Sequence, residues 1–113
     1  MKTAYSNFET IQEFAAHVRG KSWEYLCRAV RGERQNLSML CDMPRREKLA
    51  YPELDRYDLY LSYLERYMET GRLPFEIQIH HEQHKHALEI LKEVRTDLEH
   101  RGEWKMPSAM SGA

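Results

Sequence analysis

Between Pro52 and Gly71 the chain places apolar residues at Leu54, Tyr57, Leu61, Leu64 and Met68, and this pattern limits its possible folds more than any other. Steps of three and four residues follow the repeat of an α-helix and not the alternation of a strand. Proline is accepted in a first helical turn, and glycine suits the position just past the last one. The segment therefore predicts a helix from Pro52 to about Thr70, capped by Gly71.

The same logic carries through most of the chain. Ser6-Asn7-Phe8-Glu9 matches a capping box, in which a serine hydroxyl and a glutamate three residues on satisfy each other's amides. Phe8, Ile11, Ala15, Val18, Leu26 and Ala29 then keep roughly helical phase. Gly20 marks either a weak spot in one long helix or a break between two. Gly32 is placed to cap the carboxy end. From Glu33 to Met43 the apolar residues fit either a strand or a short helix; a lone strand has nothing to pair with in so helical a chain, so the helix is favoured. Pro44 can open a further short helix through Ala50. After a turn at Leu73-Pro74, the last helix is expected from about Phe75 to Arg101, with Ala87, Leu88, Leu91, Val94 and Leu98 as its apolar face and Gly102 ending it. These elements predict an all-α fold, a compact bundle of about four to five helices with a long C-terminal helix. The 113 residues fit one domain, 1–113. Its ends, about 1–5 and 103–113, are expected to be flexible, with Trp104 and Met106 available to dock the second of them.

Apolar runs are only a few residues long, so a transmembrane span is not expected. The first sixteen residues lack a signal peptide's apolar stretch and contain Glu9 and Glu13, which points to the cytoplasm. Cys27 and Cys41, outside any CxxC pair, fit reduced thiols near the core. The 17 Lys/Arg nearly balance 18 Asp/Glu. Residues 1–50 nevertheless carry a net +3 and residues 51–113 a net −4, a polarity that can steer a charged partner. This is not the strongly basic balance of a dedicated nucleic-acid binder, so a nucleic-acid partner is not favoured.

The tyrosines are the most informative candidate residues. Tyr60, Tyr63 and Tyr67 flank the stripe of Tyr57 and Leu64, so the apolar and aromatic arc covers roughly 200° of the helix, about twice what one core contact needs. Such a surplus suits an interface, with each ring buried and each hydroxyl meeting water or a partner. Tyr57, Tyr60, Tyr63, Leu64 and Tyr67 are accordingly the expected partner-binding or dimer interface. An alternative lies in the histidine-rich run after Ile79. His80 and His84 are one turn apart and in phase with Leu91 and Leu98, and Glu76 precedes them by a turn, a spacing two or three metal ligands can use. No HExxH and no second Glu-x-x-His helix accompanies them, so no metal or other cofactor is expected. Arg28, Arg31 and Arg34, with Arg45, Arg46 and Lys48, form a second alternative, a basic surface for DNA, but the match to a helix-turn-helix is poor. No glycine-rich elbow, phosphate loop or clustered acid pair is present, so the chain is not expected to be an enzyme.

In size, helical character and lack of catalytic residues, from Ser6 to about Arg101, the chain resembles the small helical antiactivators that silence LuxR-type quorum-sensing regulators by protein contact. The resemblance implies a homodimer that binds a LuxR-type transcription factor and blocks that activator's own dimerisation. It assigns no functional residue. The expectation is therefore a non-enzymatic module that binds and inhibits a regulatory protein.

Overall fold

A computed structural model describes residues 8, 10–38 and 52–105, with the side chains of 52–54 excepted. The described residues form five helices and no strand: α1 (Ile11–Val18), α2 (Trp23–Leu37), α3 (Pro52–Thr70), α4 (Phe75–Ile79) and α5 (Lys85–His100). The all-α bundle expected from periodicity is the fold. The Pro44 helix, Cys41 and the tail beyond Lys105 lie outside the described residues, as do Ser6, Asn7 and Glu9 of the expected capping box. The described first helix starts later, at Ile11, where the Thr10 hydroxyl accepts from the Glu13 amide at 3.2 Å.

Two glycines behave differently from one another. Gly20 has φ +81, a left-handed conformation that residues with a Cβ adopt only under strain. It separates α1 from α2, and Ser22 then caps the second helix by accepting from the Tyr25 amide. Gly32, expected to be a cap, lies inside α2, which runs on to Leu37. The reason is packing. Val30 and Leu37 are both buried on α2's inner stripe, and burying Leu37 is worth more than the ~1 kcal/mol that an interior glycine costs. Glu33–Leu37, an ambiguous stretch in the sequence, is thus a continuation of α2.

The long last helix is two helices. A continuous helix from Phe75 to Arg101 would set His80 and His81 near the face of Ile77, Leu88 and Leu91, and burying imidazoles without partners is costly. Instead the backbone turns at 80–84, with the His84 amide donating to the His80 carbonyl at 3.1 Å. His80 and His81 go to solvent, and α5 restarts with Ala87, Leu88, Ile90 and Leu91 facing the core.

α3 is the central element, with α2 packed along it, α5 on another side and α1 touching both α3 and α5. Phe14, Leu26, Leu61, Leu64 and Leu91 are buried where these helices meet. Arg34 on α2 reaches both Asp58 (3.2 Å) and Glu65 (3.0 Å) on α3, locking the register of the pair. The segment after α5 is docked. Trp104 packs edge-on to Trp23 with ring centroids 5.0 Å apart, and the Glu103 carboxylate accepts from the Trp23 amide at 3.2 Å.

Asp97 ties α5 to the turn between α1 and α2. It accepts from Arg101 at 2.9 Å and from the Gly20 amide at 3.3 Å, and these hydrogen bonds, that of Arg101 first, hold its carboxyl below the usual aspartate range. A carboxyl with a depressed folded-state pKa adds stability above its unfolded value and loses it as pH falls through the folded value. Lowering the pH from about 5 to 3 is therefore expected to reduce the urea midpoint, and Asp97→Asn to flatten that fall. The contribution is of order 1 kcal/mol, because the group is partly exposed. A pH slope identical in wild type and variant would contradict it.

Candidate interaction surface

The expected tyrosine interface is internal. Tyr57, Tyr63 and Leu64 retain 1, 2 and 0% of their exposure, and Tyr60 and Tyr67 each retain 6%. The surplus arc on α3 is taken up by the chain's own elements, because α2, α5 and the turn after α4 cover different sectors of the same helix. Three of the hydroxyls find partners inside as well. Tyr57 donates to Glu33 Oε1 at 2.6 Å, Tyr63 lies 3.4 Å from His84 Nε2, and Tyr67 accepts from Arg95 at 3.1 Å. Burial pushes the Tyr63 phenol up, so the ring stays neutral. The premise that this helix carries more apolar surface than one small chain can cover is thus corrected: its own neighbours cover it.

Among the described residues, the large apolar side chains left outside lie one layer further out. Phe75 is 65% and Ile79 54% exposed, and Leu59 on α3 is 40% exposed. α4 is five residues long, so Phe75 and Ile79, four apart, share one side of it. The opposite side is pinned: Ile77 is buried to 1%, and Glu76 pairs with Arg66 of α3 at 3.0 Å. Gln78 adds a side-chain hydrogen bond to the Leu73 carbonyl at 2.7 Å. A short helix held at Ile77, Glu76 and Gln78 therefore presents Phe75 and Ile79 to solvent in a defined orientation. Leu59 belongs to the rim of a shallow cleft of about 630 Å³ that also involves Asp55, Arg56, Gln83 and His84. His84 in turn packs edge-on to His80, the residue following Ile79, at 6.4 Å between ring centroids.

The structure does not bring Glu76, His80 and His84 together as one set of three ligands. His80 is exposed, His84 leans on the Tyr63 ring at 5.3 Å, and Glu76 is engaged by Arg66, whose hydrogen bond holds its carboxyl below the ordinary glutamate range. Among the described residues no group of three or more His, Cys, Asp or Glu side chains is placed to hold a metal ion. The basic surface is also thinned. Arg34 is consumed by Asp58 and Glu65, Arg28 and Arg31 are exposed, and Arg45, Arg46 and Lys48 lie outside the described residues. Cys27 is a half-buried free thiol whose pKa burial raises, which makes it a poor nucleophile. No described helix is long and apolar enough to cross a membrane.

In one continuous helix from Phe75 to Arg101, Phe75 and Ile79 would lie off the stripe of Leu88, Leu91 and Leu98, which is why periodicity does not single them out. The available signal was the alternation Phe75-Ile77-Ile79 followed by seven polar residues, His80 to His86, before Ala87. No family model, no curated protein and no solved structure matches the chain.

Proposed function

We propose that the protein is a non-enzymatic interaction module of the cytoplasm that binds and inhibits a regulatory protein, and that the partner is a LuxR-type transcription factor. One observation carries the reading: α4 holds Phe75 and Ile79 outward while fixing its other side to α3. Rigid apolar side chains on a small protein suit docking, because little conformational entropy is lost when they are covered. The nature of the partner rests on the resemblance to helical antiactivators, and so does the homodimer it implies.

The test is a titration of the protein against the ligand-binding domain of a LuxR-type activator. Covering Phe75 and Ile79 is worth about 1–2 kcal/mol each at their present exposure. Phe75→Ser with Ile79→Ser is therefore expected to weaken binding by about tenfold or more, with the circular dichroism of the free protein unchanged. Wild-type affinity in the double variant would move the docking surface elsewhere, and no binding by the wild type would remove the partner class. Sedimentation velocity addresses the homodimer separately: a monomer at tens of micromolar, roughly the range in which a specific dimer should persist, rejects it.

A further inference from the structure

We infer that the cleft between Phe8, α1 and α2 is a binding site for a small aromatic monocarboxylate. The cleft measures about 450 Å³, inside the range of small-molecule sites, and does not involve the Phe75–Ile79 surface, so it stands apart from the proposed partner contact. Its floor is one stripe of α2, in which Tyr25, Arg28, Ala29, Gly32 and Asn36 follow at steps of three and four residues. At 1.5 Å per residue this stripe is roughly 16 Å long, the scale of a two-ring ligand with a polar group at each end.

Three features give the site its chemistry. Phe8, His17 and Tyr25 form a continuous aromatic wall, with centroids 5.0 Å apart from Phe8 to His17 and 5.7 Å from His17 to Tyr25. A 2.7 Å hydrogen bond between His17 Nε2 and the Tyr25 hydroxyl holds the last two rings in place. Arg28 is exposed beside this wall and has no ion pair among the described residues, so its planar guanidinium is open to a carboxylate. Gly32 is the third feature. It has an ordinary helical backbone, and a Cβ built there would meet nothing within 4 Å. Neither backbone geometry nor packing requires glycine, yet the helix bears the cost of one; what the missing side chain leaves is room on the cleft floor.

The two ends of the cleft differ, and this orients the ligand. Glu33, buried and hydrogen-bonded to Tyr57, lies at the Asn36 end, where a second anionic group would be repelled. The carboxylate thus belongs at Arg28, the ring system along Phe8, His17 and Tyr25, and a neutral hydrogen-bonding group near Asn36.

The probe for the test is 6-hydroxy-2-naphthoate, with 6-hydroxy-2-naphthamide as its uncharged counterpart, both followed by calorimetry and amide chemical shifts on the full chain. Saturable binding with a Kd below about 1 mM is expected, with shifts at Tyr25–Asn36. The amide should bind at least about fivefold more weakly, the loss expected for one charge-assisted contact. Arg28→Gln, a surface change, should bring the naphthoate down to the amide's affinity. Gly32→Leu should remove binding, whereas Gly32→Ala should retain it. No saturation, equal affinity for acid and amide, or naphthoate binding undiminished in both Arg28→Gln and Gly32→Leu would each overturn the assignment.

Discussion

Alanine at Tyr57 and Tyr63 together is expected to unfold the protein. Both rings are essentially without solvent exposure, and both sit on the helix that every other long element touches. Truncating a large buried aromatic residue costs about 3–5 kcal/mol, through lost transfer energy and the cavity left behind. Two such losses approach or exceed the roughly 5–15 kcal/mol that holds a domain of this size together. The polar ends add to the damage. Without the Tyr57 hydroxyl, the Glu33 carboxylate, 3% exposed, loses a 2.6 Å hydrogen bond in the interior. Far-ultraviolet circular dichroism and urea titration at neutral pH measure the outcome directly. A double variant that remained helical with a sharp unfolding transition would show that these rings are not the core of the fold. The result also bears on function: loss of partner capture in such a variant would report unfolding and not a removed contact. Phe75 and Ile79, whose replacement leaves the core intact, are the informative positions.

Trp104→Ala is expected to lower stability by about 3 kcal/mol, the low end for a buried tryptophan, because the residue is partly buried against the core. Trp104 closes an aromatic cluster at the end of the bundle. It meets Trp23 at 5.0 Å, Tyr67 at 5.5 Å and the Arg95 guanidinium at 4.9 Å. Arg95 also lies over the Tyr67 ring, so the truncation uncovers one cation–π contact and loosens another. The backbone holds the segment in place as well: the Glu103 and Trp104 amides both donate to the Leu98 carbonyl. Trp104→Phe should cost much less, because the buried indole Nε1 has no hydrogen-bond partner to lose. Equal melting temperatures for wild type and the alanine variant would mean that this segment is not part of the folded unit.

Local pattern carried a large part of the fold. The helix from Pro52 to Thr70, its Gly71 end and the turn at Leu73-Pro74 follow from spacing and backbone preference, which act within a few residues. The sequence could not decide Gly32, because a glycine ends a helix only when nothing beyond it is worth burying. Leu37 found a place against the core, and α2 continued. Nor could it decide the break at His80–His84. No glycine or proline marks that turn, which takes His80 and His81 to solvent and leaves His84 against Tyr63.

The candidate site divides along the same line. By itself the sequence determined that this chain is helical, that α3 has an unusually wide apolar and aromatic arc, and that no familiar catalytic pattern accompanies it. Only the tertiary structure decided where that arc went. Its tyrosines were enclosed by α2, α5 and the turn after α4, with partners supplied by Glu33, His84 and Arg95. Periodicity states which residues share a face. It cannot state how many neighbours will arrive to cover that face, because those contacts join residues far apart in the chain. Among the described residues, the large apolar side chains that remained outside are Leu59 on α3 and Phe75 and Ile79 on a five-residue helix.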